Sequence, residues 1–286
     1  MKRTVVMLTV LLAMVAAVPV SAQSVVGEAE REAARGIPDR WGLNLGTFWQ
    51  TFDTKLRLDG TEGQTGSDVE LETDLGLPDN ATNFQLSGFY RFSDHSRLDV
   101  AYLGWDREGS KTIEEQIEWG DVIYDVGAVI NGKLSGRMAN VVYKYSIVNN
   151  EKVTFGFNGG ISSVWSEAKL SGEGTVVGGG TASGTIAESK SVVVPIPVLG
   201  LHFEMALAKK LFWRADGNFF TAKISGYDGR LSEVTTSVNY YFTRNLGLGA
   251  GFSSTSLRVK KEGPRGGDFD LKLGFSGAIA YLTAAF

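Results

Sequence analysis

The chain of 286 residues contains no cysteine. A disulfide scaffold, a thiolate nucleophile and a zinc–thiolate site are therefore excluded. It holds 2 histidines, His95 and His202, and no His-Glu-x-x-His metal motif. No Gly-x-Ser-x-Gly elbow occurs, and the triple glycine at 178–180 is followed by no Lys-Ser or Lys-Thr, so it is not a phosphate loop. Nothing calls for a cofactor or a metal. Proline is scarce at 6 residues against 36 glycines, a balance that suits many turns without a collagen-like period. Positive charge is not in excess. The formal net charge is −4, and it becomes −6 once the two cations Lys2 and Arg3 are set aside, which argues against nucleic acid as a partner. Beyond residue 22 no apolar run could span a membrane as a helix. The most apolar stretch, 192–207, is broken by Pro195, Pro197, His202 and Glu204.

What is present begins with a secretory signal. Lys2 and Arg3 precede an apolar run over residues 4–18, and Val20-Ser21-Ala22 is a small-residue cleavage site, so residues 1–22 are expected to be removed. The run is shorter than the roughly 20 residues of a spanning helix. Residues 23–40 are polar. Glu28, Glu30, Arg31, Glu32 and Arg35 with interleaved alanines predict a short helical arm ended by Gly36 and Pro38, or alternatively a disordered tail.

From Trp41 onward the period is two. Leu43, Leu45, Thr47 and Trp49 alternate with Gly42, Asn44, Gly46 and Phe48. Phe84, Leu86, Gly88, Tyr90 and Phe92 alternate with Gln85, Ser87, Phe89 and Arg91. The same holds for Ala139 to Ile147, Val153 to Trp165, Val234 to Phe242 and Leu246 to Phe252. One face is apolar and often aromatic; the other is small or polar. A soluble sandwich and a membrane barrel both produce that pattern. Short connections such as 93–96, 148–151, 208–210 and 243–245 alternate with longer ones at 108–132, 170–189 and 260–268. That asymmetry, with strands longer than the soluble norm, predicts an all-β, antiparallel transmembrane β-barrel over residues 41–286. The count is ten strands, with twelve and eight as alternatives. An even count returns both termini to the periplasm. Residues 68–75 and a hairpin over 112–130, turning at Gly120-Asp121, are expected to extend the sheet above the membrane. The facing of the last strand is not readable, because both of its registers are apolar.

The signal peptide, the alternating strands with aromatic ends such as Tyr90-Arg91-Phe92 and Asn239-Tyr240-Tyr241-Phe242, and the terminal Phe286 together resemble the small Gram-negative outer-membrane barrels of the OmpA-transmembrane and OmpW type. The resemblance is architectural. It implies export to the outer membrane, contact with its lipids and lipopolysaccharide, and Phe286 as a signal to the barrel-assembly machinery. It leaves function open.

On this register Arg91, Arg97, Asp99, Lys144, His202, Glu204, Arg214, Asp216, Asn218 and Glu233 face the lumen, mostly in the periplasmic halves of their strands. Charges of both signs in a narrow barrel predict a salt-bridge network that plugs it, with a charged constriction for small solutes as the alternative. A structural or surface-interaction role follows from a plug, a narrow channel from a constriction, and a lipid- or peptide-cleaving enzyme is the third class. Acidic residues cluster at 59–79 and 108–125, and Arg258, Lys260, Lys261 and Arg265 make the last loop basic. They read as a hydrated outer surface, or as contacts for divalent cations and lipopolysaccharide phosphates respectively.

Overall fold

The computed structural model describes residues 40–60, 65–176, 183–224, 226–261 and 268–286. The expected signal peptide, all of the arm but Arg40, the triple glycine and Arg265 lie outside the described residues. The strands are β1 (Trp41–Leu58), β2 (Val69–Glu70), β3 (Asn80–Ser93), β4 (Ser96–Thr112), β5 (Ile117–Trp119), β6 (Val122–Tyr124), β7 (Val129–Asn149), β8 (Val153–Val176), β9 (Ser183–Ala208), β10 (Leu211–Ile224), β11 (Tyr227–Tyr241), β12 (Leu246–Lys261) and β13 (Phe269–Ala285).

Ten of these close a barrel in the cyclic order β1-β3-β4-β7-β8-β9-β10-β11-β12-β13, with every neighbouring pair antiparallel. Around the half with the short turns all ten strands pair on both sides, so no sheet edge is left there. Farther out the register of β9 with β10 ends at Leu199–Phe219, and β9 continues on β8 alone to Ser183–Thr175. The three short strands are accessory. β2 pairs with β1 beyond the end of β3, and the β5–β6 hairpin, turning at Gly120 with φ 61°, joins the far end of β8.

One connection differs from expectation. Residues 170–189 were expected as a loop, yet β8 and β9 pair from Val153–Met205 as far as Thr175–Ser183. The Gly/Ser/Thr-rich sequence there hides a hairpin because small side chains carry little period-two contrast. β4 and β7 likewise run further out than the sequence indicated, and stay paired to Thr112–Val129.

The wall of the barrel changes polarity along its length. At the end with the short turns, Trp41, Leu43, Leu45 and Trp49 of β1 are exposed while Gln50 is buried. An exposed apolar belt continues around the sheet through Phe84 to Phe92, Val100, Tyr102, Val141 to Ile147, Phe157 to Trp165, Leu199, Leu201, Phe219, Val238 to Phe242, Leu248 and Leu282. Trp41, Tyr90, Phe92, Tyr143, Tyr145, Tyr240 and Phe286 rim the turn end, and Trp49, Phe84, Tyr102, Trp165 and Phe219 rim the other. The eight steps from Trp41 to Trp49 make about 26 Å of strand, or about 20 Å along the axis at a tilt near 40°, close to the apolar band of transmembrane barrels.

Beyond this belt the alternation inverts. On β1 the buried side becomes Phe52, Thr54, Leu56 and Leu58, while Thr51, Asp53, Lys55 and Arg57 turn outward. Trp105, Ile130, Leu134, Val164, Leu170, Ile196, Leu257, Leu271, Leu273 and Phe275 from the other strands join one apolar core inside the barrel. Val69, Leu71, Leu75, Leu77, Ile113, Ile117, Trp119, Val122 and Tyr124 from the accessory segments cover its far end. The lumen expected to be polar is thus polar only at the level of the belt; further out it packs like a water-soluble β-barrel. Close backbone approach makes room for the largest ring. A Cβ on Gly136 would lie 2.1 Å from Trp105 Cε2.

The terminal strand is resolved by burial. Phe275, Ile279, Tyr281, Thr283 and Ala285 point inward, and Ala278, Leu282 and Phe286 point outward.

Candidate functional site

At the level of the belt, six side chains of alternating sign form a circuit across the lumen, open only between its two ends. Arg214 Nε lies 2.7 Å from Glu204 Oε2, whose oxygen is 4.0 Å from Arg97 Nη1. Arg97 grips Asp99 in two bonds of 2.5 and 2.8 Å, Lys144 lies 2.9 Å from Asp99 Oδ2, and Lys144 Nζ also donates to Asp216. The circuit starts and ends on β10, two residues apart. Lys144 on β7 and Asp216 on β10 are separated in the sheet by β8 and β9, so their contact bridges the interior. The same-strand pair Arg214 and Asp216 point the same way, as their spacing requires. Their partners, however, are Glu204 and Lys144 rather than each other. The Arg97 guanidinium also caps the Phe89 ring at 4.2 Å.

A second chain, of neutral side chains ending on the carboxylate of Glu233, runs beside this circuit. The Leu201 carbonyl can only accept, and Asn158 Nδ2 donates to it at 3.1 Å and to Asn218 Oδ1 at 3.0 Å. This fixes the Asn158 amide and leaves its Oδ1 to accept from His202 Nδ1 at 2.8 Å. His202 Nε2 is then an acceptor, and Ser146 Oγ–H donates to it at 3.1 Å. Asn218, held with its Oδ1 toward Asn158, donates through Nδ2 to Glu233 at 3.2 Å. The donors therefore run in one direction, Ser146 to His202 to Asn158 to Asn218 to Glu233, over five strands. Further round the wall, Tyr281 Oη donates to Asn239 Oδ1 at 2.7 Å and lies 3.0 Å from Ser237 Oγ.

Three cavities accompany these groups. A vestibule of 480 Å³ opens at the turn end, lined by Arg91, Arg97, Lys152, Glu204 and Arg214 among others. A pocket of 20 Å³ continues from it toward Lys144, Ser146, His202 and Asp216. A chamber of 130 Å³ lies against Asn44, Gln85, Asp99 and Tyr281.

The charged members of this set, Arg97, Asp99, Lys144, Glu204, Arg214, Asp216 and Glu233, with His202, were all visible in the sequence as polar residues in the inward phase. Arg91 lines the vestibule. Ser146, Asn158 and Tyr281 were missed as site residues. The first two are neutral and common on polar strand faces, and Tyr281 sits on the strand whose facing was ambiguous. His95 holds a turn, where its Nδ1 donates to the Ser146 carbonyl at 2.7 Å. Among the described residues no group of three or more His, Asp or Glu gathers to hold a metal ion. In the acidic segment, Glu70 binds Lys55 and Glu72 binds Arg107 instead.

No protein-family model matches this chain, and no curated protein matches it. Solved structures do. The outer-membrane protease OmpT from Escherichia coli superposes with a TM-score of 0.57 at 12% identity, over 93% of this chain and 100% of that one. The attachment invasion locus protein Ail of Yersinia pestis reaches 0.34 at 11% identity, over 86% of this chain and 98% of that one. The Pseudomonas putida toluene transporter TodX reaches 0.35 at 12% identity, over 92% and 95%. The last two scores are too low to carry an argument, and identity at this level speaks for the fold alone. With its closed ring of ten antiparallel strands, the chain has the fold of the small outer-membrane β-barrels.

Proposed function

We propose that this protein is an integral outer-membrane β-barrel, closed to solutes, with a structural or surface-interaction role. The filled outer half carries the reading. Phe52, Trp105 and Phe275 stand 5.6–6.5 Å apart, centroid to centroid, across the interior. Leucines and isoleucines from three accessory segments pack above them. A small barrel filled in this way offers no wet path.

The exposed belt and its aromatic rims support residence in a bilayer, with the short turns in the periplasm and the apolar-cored collar outside the cell. Export by a signal peptide cleaved after Ala22 and delivery to the assembly machinery through Phe286 belong to the same proposal. So does lipopolysaccharide as a lipid partner. Arg230, Arg258, Lys272 and Lys55 form one row of directly opposed residues across β11, β12, β13 and β1. Like charges facing each other across a sheet are unfavourable. Glu70, Asp270 and Asp228 answer three of them, and phosphates at the outer leaflet would add to these partners along the row. The protease activity named for OmpT is not carried over, since the likeness to it concerns the fold.

Conductance of the purified protein in planar bilayers tests the reading. The expected result is no stable open state. Stable openings that change with Arg91→Ala or Arg214→Ala would establish the narrow channel in its place.

A further inference from the structure

We infer that Ser146 is a nucleophile and His202 its general base, in a site that opens on the turn-end vestibule and hydrolyses small carboxylic esters bearing an anionic group. This goes beyond the closed-barrel reading and does not rest on it, because the vestibule lies at the opposite end from the apolar plug.

Four observations support the assignment. The first is the direction of the hydrogen-bond chain. The Leu201 carbonyl fixes Asn158, Asn158 fixes the tautomer of His202, and His202 Nε2 is left to take the Ser146 proton. Nucleophile, base and orienting group thus stand at 3.1 and 2.8 Å, the spacing that acyl-transfer chemistry needs. The second is how Ser146 is held. Its N–H donates to the His95 carbonyl at 2.8 Å and its own carbonyl accepts from His95 Nδ1, so both backbone groups are bound by one turn residue. The register of β7 against β8 shifts between Ser146 and Val148, a bulge that re-aims side chains. The third is the glycine opposite. A Cβ on Gly156 would lie 2.0 Å from the Tyr145 carbonyl oxygen and 2.7 Å from both His202 Cε1 and Ser146 Cα, so a side chain there would displace the imidazole as well as the neighbouring strand. The fourth is access and charge. The 20 Å³ pocket at Ser146 and His202 shares Arg91, Arg97, Glu204 and Arg214 with the 480 Å³ vestibule. The larger space suits a small molecule, and the smaller one holds a single water or a carbonyl group.

The chemistry balances as follows. Ser146 Oγ attacks the ester carbon and passes its proton to His202 Nε2. Four cations, Arg91, Arg97, Lys144 and Arg214, face the pocket against two carboxylates, Glu204 and Asp216, and the net positive charge favours the developing oxyanion. The carbon–oxygen bond to the alcohol then breaks, and His202 returns the proton to the departing alkoxide. Water attacks the acyl-serine with His202 again as base, the acid leaves, and Ser146 is reprotonated. One ester and one water give one acid and one alcohol. Asn158 is a positioning residue, since it acts through His202.

The test uses the full-length protein folded in detergent, its fold verified by heat-modifiable gel mobility. It is treated with a small fluorophosphonate, and separately with 4-nitrophenyl acetate and the anionic ester 4-acetoxy-3-nitrobenzoate. The expected result is a single phosphonyl adduct mapped by mass spectrometry to Ser146, with faster turnover of the anionic ester. Ser146→Ala should remove adduct and turnover, and His202→Gln should lower both about 100-fold or more. Asn158→Ala should lower the labelling rate, and Asn158→Asp should restore part of it at unchanged gel mobility. The adduct map of the unaltered protein needs no variant to fold. A folded barrel that leaves Ser146 unmodified, or equal labelling in His202→Gln, overturns the assignment. Either result would leave the conductance reading untouched.

Discussion

Trp41 and Phe286 close the barrel upon each other. Their rings stack at 4.6 Å with planes 20° apart, and their backbones exchange hydrogen bonds of 2.9 and 2.8 Å. The first residue of β1 and the last residue of the chain thus make the final rung of the seam, at the aromatic rim of the belt. An aromatic terminus here is a structural closure as well as the proposed assembly signal.

Removing Phe286, or changing Trp41 to Ala, is expected to weaken the seam. The stacked pair contributes about 0.5–1.5 kcal/mol beyond its area, so a double-mutant cycle in urea should show coupling of that order. Outer-membrane insertion should fall more for the Phe286 deletion than for the removal of residues 177–182. Equal insertion would detach Phe286 from assembly.

The charge circuit makes a prediction about partners. Asp216→Ala strips Lys144 of one of its two carboxylates and should destabilise the barrel by up to about 3–5 kcal/mol, the range for breaking a buried pair. Lys144→Met combined with Asp216→Leu should cost less than the sum of the single changes. Arg214→Ala should not rescue Asp216→Ala, because Arg214 binds Glu204. Chemical unfolding of these single and double variants decides this.

Arg107 ties the collar together. Its guanidinium lies 2.6 Å from Glu72, donates to Thr54 Oγ1 at 2.7 Å and to the Pro78 carbonyl at 3.1 Å, and covers the Phe52 ring at 4.1 Å. Burial pulls its pKa below the ordinary value, and hydrogen bonding and charge from Glu72 oppose that shift. Arg107→Ala leaves Glu72, largely buried, without its cation. Limited proteolysis should then cut residues 71–79 in the variant and spare them in the parent, with the belt still folded.

Acid should loosen the outer rim through Asp270. Burial works to raise this carboxyl, but the hydrogen bonds and charge of Arg258 outweigh it and hold the pKa below the usual 3.8. A depressed carboxyl contributes stability that is fully present above the unfolded value and is lost as pH falls through the folded one. The window therefore lies below about pH 4. With Arg258 nearly half exposed, the contribution is under about 1 kcal/mol. Asp270→Asn should be the less stable protein at neutral pH, and the difference should vanish in strong acid. A difference independent of pH would rule out the ion pair as its source.

The period-two alternation from Trp41 to Phe252, the short and long connections and the aromatic strand ends were enough to derive a ten-stranded transmembrane barrel and the inward phase of its charges. These are local properties: a strand that faces lipid on one side must write its facing into every second residue. The change of phase beyond Phe48–Trp49 was also in the sequence, as Phe52, Leu56 and Leu58 against Asp53, Lys55 and Arg57. A single strand, however, cannot say whether its new apolar side meets lipid or a core. Only closure of the sheet placed these residues inside, with Leu71, Trp119 and Tyr124 packed over them. Tertiary structure also chose the facing of β13, whose two registers are equally apolar until β1 and β12 pair with it. It decided that Arg214 meets Glu204 and that Lys144 meets Asp216. It brought Ser146, His202 and Asn158 together from β7, β9 and β8, because contacts across a lumen depend on strand order and stagger, which no spacing along the chain encodes.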